Sequence, residues 1–250
     1  MSLDIVVAIV CLAVLAGAHS LLGEAKVIGP LLAGELPAAP LSAPFLKRVL
    51  RFAWHLTSVA WLGLAACLAV APSTAWIVGL VLVVSAAVTL VAARGWHFAW
   101  AIFALGGLAA LHRYQIGPPP AWLAWAGATV ATALGALHVG WALRGAPLAA
   151  VVPHRAGRPV FVPGRAAAVA VAGALFGLAA VFLARAGVVA LPGSSILALI
   201  AAAVFALRTI GDFRSVGLFR RPGGDAFSRN DAALYTPLCF ALAAALAWLH

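Results

Sequence analysis

The sequence predicts an all-α integral membrane protein: eight transmembrane helices arranged as two fused four-helix units, a tandem parallel repeat with both termini outside. Three observations predict it. Of the 250 residues, 65% are hydrophobic and 9% are charged, with a mean hydropathy of +1.11, whereas a soluble domain carries about 25% charged residues. The apolar residues gather into eight runs that approach or exceed the length a hydrocarbon core about 30 Å thick demands at 1.5 Å per helical residue. The basic residues fall overwhelmingly on alternate loops.

The first helix is read over 3–22. Its Ala16-Gly17-Ala18 has the form of a cleavage site, but Asp4 is the only charged side chain before the apolar run, and a signal peptide carries a basic leader. The segment is therefore kept as a span. The second and third are read over 50–70 and 74–93, separated by Pro72, and the fourth over 96–111, short and containing Gly106-Gly107. Pro118-Pro119-Pro120 precedes the fifth (121–143), Pro163-Gly164 the sixth (165–184), and Pro192-Gly193 lies near the start of the seventh (191–207). Proline lacks an amide donor and clashes with the preceding turn, so it marks these boundaries. The eighth is read over 232–249, with Asp231 as its N-cap and Pro237 kinking its first turns. In the sixth, Gly173 and Gly177 have the small-residue spacing that lets helices approach closely.

With eight spans, 14 of the 16 Lys and Arg residues fall on one side and only Arg113 and Arg185 on the other. Basic loops are retained in the cytoplasm, so the long first, fifth and seventh loops face inward. The net charge of +10 is thereby a determinant of topology and not a nucleic-acid footprint. Cys11, Cys67 and Cys239 sit in apolar segments without C-x-x-C spacing, which indicates neither a disulfide framework nor a zinc site. Walker, nucleophile-elbow and dinucleotide motifs are absent from the sequence.

An internal offset of 114 residues relates Arg51 to Arg165, Gly63-Leu64-Ala65-Ala66 to Gly177-Leu178-Ala179-Ala180, and Arg94 to Arg208; His19 and His138 match at 119. This divides the chain into four-helix units over 1–115 and 116–250.

The run Leu207-Arg208-Thr209-Ile210-Gly211-Asp212-Phe213-Arg214-Ser215-Val216-Gly217-Leu218-Phe219 is followed by Phe227-Ser228-Arg229-Asn230-Asp231 and Leu234-Tyr235-Thr236-Pro237. With His138-Val139-Gly140-Trp141 and Val160-Phe161-Val162-Pro163-Gly164 upstream, it resembles a bacterial family of four-helix membrane proteins of unknown function, over about 135–249. The N-terminal half, with His19-Ser20-Leu21-Leu22-Gly23-Glu24 and Arg51 to His55, loosely resembles small uncharacterised bacterial membrane proteins. These resemblances imply a multi-pass protein of the bacterial inner membrane and supply no activity.

The expected topology sets His19, Arg51, His55, Arg94, His97, His138, Arg208 and Asp212 at one depth, in the cytoplasmic half, and with Glu24 they are the ligand-binding candidates. Ionisable groups at membrane depth are costly and are functional-site candidates by default. Arg51, His55 and Ser58 share a helical face at i, i+4 and i+7, beside a stripe of Trp54 and Trp61. Asp212 stands four residues after Arg208, the spacing of a helical ion pair. At the 114-residue offset, His55 and Ser58 become Val169 and Ala172, while Phe98 becomes Asp212. Such complementary divergence suits one shared asymmetric site. His19, His55 and His97 lack a metal-ligand spacing, so no metal, haem or other cofactor is expected. Loop seven mixes Phe213, Val216, Leu218, Phe219 and Phe227 with basic residues, the composition of a segment lying on an anionic leaflet.

The expected partners are membrane lipids and a small or lipidic ligand, with no nucleic acid. The expected function is binding or transport of that ligand in a polar pocket on the cytoplasmic half. The alternatives are a structural or assembly protein without ligand, and a membrane-embedded enzyme acting on a lipid or quinone-like substrate through His and Asp.

Overall fold

Helices that are apolar around their whole circumference have no face to offer water, so they pack a few small and large residues inward and leave the rest for lipid. That is the design of most of the long helices, α3 and α9 being the amphipathic ones. The structure, a computed structural model, describes residues 1–34, 43–112, 121–155, 158–221 and 223–250; Arg113 and the Pro118-Pro119-Pro120 breaker lie outside the described residues.

The α-helices are α1 (Leu3–Gly23), α2 (Gly29–Ala33), α3 (Ala43–Val70), α4 (Ala75–Ala92), α5 (Ala99–His112), α6 (Ala121–Arg144), α7 (Leu148–Val151), α8 (Arg165–Arg185), α9 (Ser194–Ile210), α10 (Ala226–Asn230) and α11 (Thr236–Trp248). Two two-residue strands, β1 (His154–Arg155) and β2 (Arg158–Pro159), pair antiparallel with His154 opposite Pro159.

All eight expected helices are present, but not all have a span's length. Among the described residues six helical stretches are long and apolar enough to cross a membrane: Leu3–Ala33, Leu46–Val70, Pro72–Ala92, Ala121–Arg144, Arg165–Arg185 and Ala226–Trp248. The other two, α5 and α9, have 14 and 17 residues, roughly 21 and 26 Å of helix against a core of about 30 Å.

Two stretches run on through π-turns. Glu24–Ile28 joins α1 to α2, and Asp231–Tyr235 joins α10 to α11. Each opens on an acid, and each is followed by a proline in the next turn, Pro30 and Pro237. A proline in a helix removes one amide donor and crowds the carbonyl four residues back. A π-turn places one extra residue in the turn just before the proline, where that strain falls. Pro237 thus sits beside a π-turn within a continuous stretch. The last stretch also begins earlier than expected. Its N-cap is Asp225, whose Oδ1 accepts the Ser228 N–H at 2.6 Å, and Asp231 lies wholly buried inside it.

Contacts divide the chain into two compact units, one of Met1–Ala92 with Ala99–Ile116, the other of Ala93–Phe98 with Gly117–His250. In the first, α1 packs on α3 and α5, and α4 on α5, around Ile5, Leu12, Leu15, Leu68, Val78, Leu82 and Phe103. Gly79 and Gly107 face each other across α4 and α5: a Cβ on either would come within 3.0 Å of the other's carbonyl oxygen. In the second, α6 packs on α8, α8 on α9, and α9 on α11, around Phe182, Leu178, Leu242 and Leu246. The close approach expected at Gly173 and Gly177 is not found, because a Cβ at either meets nothing within 4 Å. The glycines that admit a neighbour are on α6: a Cβ on Gly127 would stand 2.4 Å from the Phe182 ring, and one on Gly135 2.8 Å from the Phe176 ring.

Candidate functional site

In the first unit, the C-terminal turns of α1 and the following π-turn meet the middle of α3. Arg51, His55 and Ser58 occupy one face of α3 by helical period, and the structure places His19, Ser20 and Glu24 against them. Arg51 Nη2 lies 3.0 Å from Glu24 Oε1, and His55 Nε2 3.3 Å from Glu24 Oε2. Ser20 Oγ is 3.0 Å from His55 Nδ1 and 3.0 Å from Ser58 Oγ, and Ser58 Oγ is 3.1 Å from His19 Nδ1. The result is one continuous hydrogen-bonded chain, Arg51–Glu24–His55–Ser20–Ser58–His19, running from the half-exposed ion pair to the buried Ser58. Burying a hydroxyl or imidazole without partners costs a few kcal/mol, and the chain supplies those partners.

Tryptophans hold it in place. Trp54 Nε1 donates to the His19 carbonyl at 2.8 Å, and its ring stacks on the His19 imidazole with centroids 4.2 Å apart. Trp61 meets the same imidazole edge-on at 4.9 Å. Gly23 makes room for Trp54, since a Cβ there would fall 2.5 Å from its Nε1.

Beside the chain lies an open groove of about 820 Å³, lined by Leu32, Phe52, Leu56 and Val59 on its apolar part and by Lys47, Arg48, Arg51 and His55 on its polar part. Lys47 is engaged with the Gly34 carbonyl at 2.9 Å. Among the described residues Arg48 has no carboxylate partner.

In the second unit the polar centre is Asp231, 0% exposed. Arg208 Nη2 donates to its Oδ1. Its Oδ2 accepts from Arg220 Nη1 at 3.2 Å, from the Gly217 N–H at 2.9 Å and from the Thr236 hydroxyl at 3.1 Å. Arg220 also donates to the Gly217 carbonyl at 2.6 Å, and its guanidinium lies 4.7 Å from the centroid of the Trp96 ring, a cation–π distance. Burial pulls the Arg220 guanidinium below its ordinary value, with Asp231 acting in the opposite direction. One carboxylate thus serves two guanidinium groups, and Arg208 Nη1 and Arg220 Nε are buried without an acceptor among the described residues.

The expected Arg208–Asp212 pair does not form, because α9 ends at Ile210 and Asp212 has left the helix. Its Oδ1 instead accepts the N–H groups of Arg214, Ser215 and Val216 at 2.9, 2.6 and 2.9 Å. Slight burial raises the Asp212 carboxyl, but the backbone donors together bring it below the usual carboxylate range. His138 Nδ1 donates to the Leu134 carbonyl one turn back at 2.8 Å, its ring lying 4.6 Å from that of Trp141. Arg94 takes a left-handed φ of 48° in the turn after α4, and His97 stacks on Phe98 at 5.5 Å; both belong to the segment grouped with the second unit.

Of the nine residues singled out from the sequence, His19, Glu24, Arg51 and His55 converge within the first unit, and Arg208 joins the Asp231 cluster within the second. Sequence reasoning missed Ser20, Asp231, Arg220 and Trp96. One signal was available: Glu24 and Asp231 each precede a proline by six residues, marking both acids as belonging to interrupted helices.

Residues 131–246 match the family described as "Protein of unknown function (DUF3995)". The match lies in the C-terminal half and gives no support to the resemblance drawn for the N-terminal half. No curated protein and no solved structure matches this chain.

Proposed function

We propose that this multi-pass membrane protein binds a small anionic amphiphile, a lipid or lipid-like molecule, in the groove of the first unit. The observation that carries the reading is the composition of the groove: an apolar run of Leu32, Phe52, Leu56 and Val59 continuous with the cations Arg48 and Arg51. A tail lies on the first set and an acidic head meets the second, at the place where His55 opens the polar chain. Titrating the purified full-length protein with oleate, and with oleyl alcohol as the uncharged control, tests it. Oleate is expected to bind more tightly, with R48A/R51A weakening oleate about tenfold or more and barely affecting the alcohol. Equal affinity for both probes, or oleate binding untouched by the variant, overturns the reading.

A second reading is favoured by one geometric fact. Glu24, His55 and Ser20 stand in the order carboxylate, imidazole, hydroxyl, which activates a serine nucleophile once the Ser20 hydroxyl turns from Ser58 to donate to His55 Nδ1. On this reading a fluorophosphonate probe labels Ser20 and leaves S20A and H55A unlabelled, whereas a site that only binds gives no label.

We also propose that α5 and α9 cross the bilayer despite their length, giving eight spans and both termini outside the cytoplasm of the bacterial inner membrane. The 14 to 2 division of basic residues supports this. A parallel repeat is supported by the part of the neighbour pattern that the units share: in each the first helix packs on the second, and the third on the fourth. Reporter fusions after His250 are expected to register outside, and fusions at Arg155 inside; a cytoplasmic C-terminus removes one span from the scheme.

A further inference from the structure

Loop seven is far more tightly built than a connection needs to be. Gly211 and Gly217, at φ of 89° and 85°, pack backbone to backbone: a Cβ on the first would stand 1.9 Å from the Val216 carbonyl oxygen, and one on the second 2.4 Å from Gly211 Cα. Asp212 gathers three amides inside the turn, and the Leu218 N–H returns to the Thr209 carbonyl at 2.8 Å. Asp231 fastens the turn from beneath through the Gly217 N–H. The Arg221 N–H closes the outer part on the Arg214 carbonyl at 3.1 Å.

This framework holds two exposed arginines, Arg214 and Arg221, whose side chains form no ion pair among the described residues. They line a recess of about 300 Å³ together with Ser215, His154 and Val160. His154 Nδ1 donates to the Val152 carbonyl at 2.8 Å, and in the imidazolium form its Nε2 is a second donor for a ligand oxygen. Two guanidinium groups, a hydroxyl and an imidazole around one small concavity match the oxygens of a phosphate group.

Several neighbouring residues are apolar. Phe213 is 62% exposed and held at a left-handed φ of 59°, a conformation that costs a bulky residue energy. Its ring stacks on that of Phe219, itself 49% exposed, with centroids 5.7 Å apart. Val160 and Phe161, each 55% exposed, continue the apolar surface from β2. A free phosphate has no use for such neighbours, whereas a headgroup attached to acyl chains does.

We propose that the recess formed by His154, Arg214, Ser215 and Arg221 binds the phosphate of an anionic phospholipid, with Phe213 and Phe219 inserted among its chains. This site belongs to the second unit and is independent of the groove in the first.

The test is native mass spectrometry of the full-length protein in mild detergent, titrated with phosphatidylglycerol, phosphatidylcholine or inorganic phosphate. Phosphatidylglycerol is expected to be retained over phosphatidylcholine, with R214A/R221A weakening it about tenfold or more at an unchanged melting temperature. R214K/R221K is expected to restore only part, since lysine keeps the charge and loses the fork. F213S/F219S is expected to weaken lipid binding alone. Equal retention of the two lipids overturns the proposal, as does wild-type binding by R214A/R221A. Inorganic phosphate that displaces the lipid completely at equal concentration shows a soluble-anion site and overturns the lipid assignment. Loss of phosphatidylglycerol in R48A/R51A but not in R214A/R221A places the lipid in the groove and overturns this site alone.

Discussion

Asp231→Ala is expected to lower stability by about 3–5 kcal/mol, because removing one member of a buried ion cluster leaves the others charged and unpaired. Here the loss is double, since Arg208 and Arg220 share that one carboxylate and Arg220 is itself buried. The Gly217 N–H and the Thr236 hydroxyl lose their acceptor as well. Asp231→Asn keeps an acceptor and removes the charge, so it should fall between. Replacing Asp231, Arg208 and Arg220 together with Leu and Met should restore much of the loss, as apolar substitutes for whole buried clusters do. Detergent-solubilised melting curves for the four proteins decide it. An Asp231→Ala variant that melts with the wild type would refute the claim that this carboxylate organises the second unit.

Gly95→Ala is the second large effect, and it acts through the backbone. Gly95 has a φ of 77°, and an added Cβ would lie 1.9 Å from the Ala232 carbonyl oxygen and 2.5 Å from its carbon. The conformation alone costs an L-residue about 1–2 kcal/mol, and the contact cannot be relieved by rotating a side chain. The segment must retreat from the π-turn that carries Asp231, taking Trp96 off the Arg220 guanidinium. A loss of at least about 2 kcal/mol is expected, which is roughly 4 °C or more in Tm for a chain of this size. Gly140→Ala is the control: it lies within α6, its Cβ meets nothing within 4 Å, and alanine is the better helix former. Equal melting of the two variants would show that the Gly95 contact yields freely.

Hydropathy made the helices legible, because a bilayer asks its spans for long apolar runs with few charges. All eight were placed within a few residues at most ends. What it did not convey was where each helix truly begins. The sequence reading took Asp231 for a cap, since acids before apolar runs usually are; the cap is Asp225, and the helix had already made more than a turn before Asp231. Spacing along one helix correctly put Arg51, His55 and Ser58 on a face. It was silent on the opposing helix, so Ser20, the residue that joins His55 to Ser58, went unnoticed beside His19. Asp212 illustrates the converse. Its distance in sequence from Arg208 suits a helix, but Gly211 breaks the helix between them and turns the carboxylate onto its own loop.

The two π-turns have a consequence for the phase of the helices that contain them. Successive residues of an α-helix are about 100° apart around the axis. A turn with one residue in surplus therefore advances everything before it by about that angle relative to everything after. Deleting one residue, such as Ala233, would let the last stretch close as an ordinary helix of nearly the same length and hydropathy. The hydrophobic span would survive, but Asp231 would point about a quarter of a circle away from Arg208. The surplus residue at Glu24–Ile28 sets the bearing of Glu24 towards Arg51 and His55 in the same way. At both places the chain holds an acid on target by a miscount in the helix.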